Sequence, residues 1–125
     1  GHDCHNLTVY GGNDADMALA ANTLRDAQGG LCTAENGKVL TLIPLPLAGL
    51  MCDQSPEALL AQMEQFLADC RRMGFNHQNL LTFFTLMPLA VSPELKCTDR
   101  GLVDALHKRL LPLIEEIKEI SSDGT

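Results

Sequence analysis

Tryptophan is absent from this 125-residue sequence, and aromatic residues of all kinds make up only 4% of it. A core without large rings must be assembled from Leu, Ala, Val, Ile and Met. Basic residues are also scarce. Nine Lys and Arg stand against sixteen Asp and Glu, for a net charge of −7, and no block of cations occurs. A surface that follows a phosphate backbone needs clustered cations, so nucleic acid is not an expected partner. No long hydrophobic run is present either. The most apolar stretch, 39–51, is interrupted by Pro44, Pro46 and Gly49 and falls short of the ~20 residues of a membrane span, so no membrane association is expected. The start has no cationic segment followed by an apolar one, which predicts no signal peptide. The five cysteines are odd in number and without paired spacing. They read as reduced thiols of a cytoplasmic protein, with Cys32 and Cys70 in the core and Cys52 and Cys97 partly exposed near loops.

What is present suits one folded domain spanning 1–125. The apolar fraction is 46% and the charged fraction 20%, a balance that favours a packed globular state over disorder. "LTVY" at 7–10 predicts a short strand. Asn13 is a good N-cap, with Asp14 and Asp16 suited to a first helical turn, and Met17, Leu19, Ala20, Ala21, Leu24 and Ala27 give an apolar stripe that Gly29 and Gly30 stop. Asn36-Gly37 predicts a hairpin turn between strands at 31–34 and 38–43. Pro44 and Pro46 exclude "PLPLAGLM" from a central strand. Ser55-Pro56 opens a second helix with Leu59, Leu60, Met63, Phe66, Leu67, Cys70 and Met73 on one side, ended by Gly74. "LLTFFTLM" predicts a buried strand up to Met87. Thr98 or Asp99 predicts the cap of a last helix carrying Leu102, Val103, Leu106, Leu110 and Leu111, with Pro112 ending or kinking it. The expected class is α/β, with α+β as the alternative: a mixed β-sheet including a hairpin, covered by about three helices.

Chemistry is concentrated in the opening "GHDCHN". His2 and His5 bring ligand-type nitrogens, Asp3 a hard oxygen and Cys4 a soft sulfur. In an extended segment His2 and Cys4 face one way and Asp3 and His5 the other, so the four do not gather around one ion. His77 and His107 stand in no ligand spacing, and a closed zinc site on this chain fails on ligand count. Cys4 beside His5 lacks the geometry and the third, orienting group of an activated nucleophile. The stretch reads either as one edge of a site completed elsewhere or as a frayed polar terminus. "YGGND" has neither a dinucleotide fingerprint nor a Walker lysine, and its aspartates repel phosphate, so helix capping explains it. Gly29-Gly30 is a helix stop that also permits close backbone approach. Glu115, Glu116 and Glu119, with Lys118 beside them, read as a solvated helical face. No complete catalytic set and no metal site are expected on this chain.

Three stretches, in order, resemble one family. "GHDCHNLTVYGGNDADMALAANTL" is similar to an HDSHN segment with its strand and helix. "GGLCTAENGKVLTLIPLPLAGLM" is similar to a double glycine, hairpin and LPLPIAGLM run, and "PELKCTDRGLVD" to a PELKLTDRGLVD signature. Together, from His2 to Asp104, they resemble the C-terminal domain of bacterial adenine deaminases of the amidohydrolase superfamily. The resemblance implies, for a complete enzyme, hydrolysis of adenine to hypoxanthine and ammonia in purine salvage by a water activated on manganese or iron. It also implies that the metal ligands lie on a (β/α)8 barrel that is absent here, so no cofactor is expected on this chain and the chain alone is expected to be inactive. The implied partners are that barrel, adenine in the complete enzyme, and a homo-oligomer. Cys4 stands where the family has serine, a weaker hydrogen-bonding group. The resemblance places His2, Asp3, His5 and Asn6 at an active-site edge or subunit contact, with an apolar docking surface around Leu45, Leu47 and Leu50. A start at Gly1 without methionine suggests a truncated chain. The competing reading is a free-standing α/β module that binds a ligand or a protein.

Overall fold

The computed structural model describes residues 1–114. Helix α1 (Asp14–Asp26) starts as its sequence predicts. The Asn13 side chain accepts from the Asp16 N–H at 2.9 Å, and Asp14 and Asp16 sit in the first turn against the positive end of the helix dipole. The chain then enters β1 (Gly30–Glu35), which pairs antiparallel with β2 (Lys38–Pro44), placing Leu31 opposite Ile43 and Thr33 opposite Thr41. Asn36 and Gly37 both take positive φ, 54° and 73°, the geometry of a tight hairpin turn whose twist matches its strands. The Asp16 carboxylate accepts from the N–H groups of Asn36 and Gly37 at 3.0 and 2.8 Å, tying the turn to the start of α1.

Helix α2 (Pro56–Arg72) is capped by Ser55, with Pro56 in its first turn. Phe66 and Cys70 from α2, Ile43 from β2 and Leu80 form the buried core, flanked by Leu31, Leu45, Leu59, Met63, Leu67, Phe75, Leu81 and Phe84. Leu60, expected on the buried side, is instead 61% exposed. The core contains one buried carboxylate. Asp69 accepts from the hydroxyls of Thr33 (2.9 Å) and Thr41 (2.7 Å) and from the Gln65 amide (3.0 Å), with Arg72 alongside. These bonds join both hairpin strands to α2, and every lone pair used has a donor.

Three expected elements differ. The predicted strand at 80–87 is helix α3 (Leu80–Leu86), because the Asn79 side chain accepts from the Thr82 N–H and caps it. A short apolar run has no periodicity that separates the two forms; here Leu80, Leu81 and Phe84 share the face that meets the core. The helix predicted to follow Thr98 or Asp99 is instead β4 (Gly101–Asp104) and β5 (Arg109–Leu111), which with β3 (Leu95–Thr98) before them form an antiparallel sheet. Local side-chain bonds win over helical propensity there. Thr98 Oγ1 accepts from the Arg100 N–H and donates to the Gly101 carbonyl, while Asp104 accepts from the His107 N–H, the His107 ring and Arg109. The glutamates expected at 115–119 lie outside the described residues. Finally, 7–10 joins no ladder among the described residues. Its Tyr10 ring stacks on Phe84 at 4.8 Å and its hydroxyl donates to the Phe84 carbonyl at 2.9 Å. The described residues thus comprise three helices with a two-stranded and a three-stranded antiparallel sheet, the combination of helix and strand expected from the sequence. None of these helices is long and apolar enough to cross a membrane.

Candidate functional site

The opening residues are not extended. Residues 2–5 form a turn, and His5 has φ of 53°, so the alternation of faces expected for His2 to His5 does not hold. His2 Nε2 lies 3.4 Å from Asp3 Oδ1, both side chains being more than half exposed, and the Cys4 thiol donates to the Gly1 carbonyl. No group of three or more His, Cys, Asp or Glu side chains suited to a metal ion occurs among the described residues, so these residues by themselves do not fit the ligand set of a manganese or iron centre.

The turn borders a concave mouth of about 620 Å³. His2, His5 and Asn6 line it from one side; Gly29 and Gly30 at the end of α1 and Ala48, Gly49 and Leu50 from the apolar connection line it from the other. Asp3 and Cys4 do not line it. Six residues around this mouth, His5, Gln28, Gly29, Gly30, Ala48 and Gly49, have positive φ. For the three that carry a side chain, this conformation costs roughly 1 kcal/mol each, so the surrounding packing must impose it. Close backbone approach does so. A Cβ on Gly29 would lie 2.6 Å from Gly49 Cα, a Cβ on Gly30 would collide with the Ile43 carbonyl oxygen, and Leu45 N–H donates to the Gly29 carbonyl at 3.2 Å. The double glycine thus lets the 44–51 connection lie directly on the end of α1. Leu50 on the mouth and Leu47 and Met51 beside it are 41%, 50% and 60% exposed, and the bridge between Leu47 and Met51 holds them in a tight loop.

The opening of the first signature stretch and both ends of the second therefore meet at one place. The Adenine deaminase C-terminal domain profile matches residues 1–109. The chain belongs to that family. An adenine deaminase of Clostridium botulinum is 47% identical over 115 residues, 92% of this chain and 19% of its own length. One from Moorella thermoacetica is 43% identical over 90% of the chain, and one from Kosmotoga olearia 40% identical over 90%. The chain spans about a fifth of the length of these curated relatives.

Of the residues the sequence singles out, His2, His5, Asn6, Leu45 and Leu50 line the mouth, Leu47 stands exposed beside it and Asp3 does not line it. Arg25, Gln28 and Ala48, which the sequence did not single out, also line it. Gln28 and Ala48 each precede a glycine of the close-approach pair, and that adjacency was the available signal. His77 and His107 are engaged elsewhere, His77 Nδ1 with Asn79 and His107 Nδ1 with Asp104 at 2.7 Å.

Proposed function

We propose that this chain is the C-terminal part of an enzyme that hydrolyses adenine to hypoxanthine and ammonia in the cytoplasm. Its own part is to seat on the metal-bearing catalytic domain and to present His2, Asp3, His5 and Asn6 at the edge of the active site. The observation that carries this reading is the meeting of the opening turn, the double glycine and the 48–50 loop around one mouth of strained backbone, because backbone strain of this kind concentrates at functional sites. The exposed Leu47, Leu50 and Met51 next to it suit a surface that another domain, or a second copy, covers. Manganese or iron would supply the activated water in the complete enzyme and would be held by residues outside this chain.

Adenine-dependent ammonia release tests the reading, comparing the 125-residue chain with the complete chain in the presence of manganese or iron. Turnover is expected only in the complete chain. His5→Ala in that chain is expected to lower kcat/KM about tenfold, the equivalent of ~1.4 kcal/mol of transition-state stabilisation. Turnover by the 125 residues alone overturns the assignment, and full activity in His5→Ala removes the opening turn from the site.

A further inference from the structure

We propose that the groove between residues 6–12 and the free edge of β1 seats an extended strand of polypeptide. It would be supplied by the residues that precede Gly1 in a chain as long as the curated relatives. The proposal rests on the longer-chain part of the preceding reading and not on its chemistry.

The groove measures about 800 Å³, with Gly30–Glu35 along one wall, 6–13 along the other, and Met17, Phe66, Cys70 and Phe84 among the residues beneath. Among the described residues β1 pairs only with β2. Its other edge presents backbone N–H and C=O groups that a further strand would satisfy. The opposite wall has the same deficiency. "LTVY" has the composition of a strand yet joins no ladder, and Thr8 Oγ1 is shielded from solvent without a hydrogen-bond partner. One strand laid between the two walls answers both.

The opening turn indicates where that strand comes from. Residues 2–5 reverse the chain, with His5 in the left-handed conformation that closes hairpin turns. Gly1 itself lines the groove, and an ideal Cβ on it would lie 3.2 Å from both the Asn6 carbonyl oxygen and Thr8 Oγ1. Polypeptide reaching Gly1 from the groove therefore runs antiparallel to 6–10, and "HDCH" is the tip of the hairpin they form. The segment 6–10 connects to β1 through helix α1, the kind of connection that parallel strands use. A strand between them is then antiparallel to both neighbours. The walls are mostly apolar, with Asp16 and Glu35 the ionisable carboxylates among them, which suits a strand of alternating apolar side chains better than a charged ligand. In this arrangement His2 and His5 are displayed at the end of a four-stranded sheet instead of on a loose terminus.

Amide hydrogen exchange measured by mass spectrometry on the complete chain, with the 125-residue chain as reference, tests the proposal. Segments 6–10 and 30–35 are expected to exchange at least about tenfold more slowly in the complete chain. Equal exchange of 30–35 in the two overturns the strand, even if the complete chain turns over adenine. Slow exchange without turnover supports the strand and counts against the enzyme reading instead. Because domain packing also slows exchange, a second measurement asks for the strand itself. Cysteines placed singly at the roughly six positions before Gly1, a usual strand length, are crosslinked to Cys32 with a short bifunctional reagent. Linkage at alternate positions is expected from the two-residue period of a strand. Linkage at none of them, or at all equally, overturns it.

Discussion

Asp69 shows how one residue holds this fold together. It is 5% exposed, and burial pushes its carboxyl pKa up, yet the hydrogen bonds from Thr41, Thr33 and Gln65 and the charge of Arg72 outweigh that and hold it below the ordinary carboxylate value. Removing the carboxylate leaves two threonine hydroxyls without their acceptor. Asp69→Ala is expected to lose about 1–3 kcal/mol of stability, read by chemical denaturation. The pH dependence follows from the sign of the shift. A carboxyl with a depressed folded-state pKa binds fewer protons in the folded chain than in the unfolded one. Its contribution is therefore present above about pH 4 and is lost as the pH falls through the folded-state value. Asp16 and Asp104 shift the same way, Asp16 through bonds from Asn13 and Gly37, Asp104 through the backbone and ring of His107. Melting temperature should drop between pH 7 and pH 3, and Asp69→Asn should drop less than the parent. In contrast, burial pushes the Cys70 thiol up to about 11, so it should resist alkylation in the folded state at neutral pH while exposed Cys97 reacts.

At the scale of elements, the end of α1 and the start of β1 are held tightly against the end of β2 and the 44–51 connection. Gly30 has φ of 143°, and any Cβ there meets the Ile43 carbonyl oxygen. Gly30→Ala should therefore destabilise by roughly 2 kcal/mol or more. Gly12, with nothing near its missing Cβ and no positive φ, is the control. Gly12→Ala should stay within about 0.5 kcal/mol of the parent. Thermal melts of the two variants decide it, and equal melting temperatures would mean that the end of β2 at Ile43 and Pro44 gives way to the added methyl at no cost. In the complete enzyme Gly30→Ala should also lower adenine turnover if the mouth works as proposed, since the same displacement opens it.

Across the whole molecule, apolar surface exceeds what the fold covers. Among the described residues only Ile43, Phe66, Cys70 and Leu80 are buried hydrophobics, while Leu47, Met51, Leu60, Leu95, Leu106 and Leu110 are each at least half exposed. So small a core beside so much exposed leucine leaves apolar surface of the kind that marks interaction sites. Sedimentation velocity of the 125-residue chain should show concentration-dependent association. Leu47→Ser combined with Met51→Ser should shift it toward monomer if the loop beside the mouth is the surface in contact. Association that the double substitution leaves unchanged would move the contact to the face formed by β3, β4 and β5.

The elements that local chemistry specifies were legible in the residues themselves. Asn13 and Ser55 cap helices, and Asn36-Gly37 turns a hairpin, because caps and tight turns depend on neighbours a few positions away. The family was legible for a related reason: its signatures are contiguous runs. Where an element depends on a distant partner, sequence pattern was not enough. "LLTFFTLM" is helical because Asn79 caps it and the core receives its Leu80 and Phe84 face, "LTVY" has no ladder partner among the described residues, and 98–111 turns twice because Thr98 and Asp104 bond the backbone N–H groups just after them. The site divides the same way. From the sequence, His2, Asp3, His5 and Asn6 read as the edge of a site or a subunit contact, with nothing to say which residues lie around them. Only the folded backbone, with Gly29 packed on Gly49 and Gly30 on Ile43 and Pro44, sets His2, His5 and Asn6 at the rim of one mouth with the 48–50 loop, since closeness between residues far apart in the chain is a property of the tertiary structure.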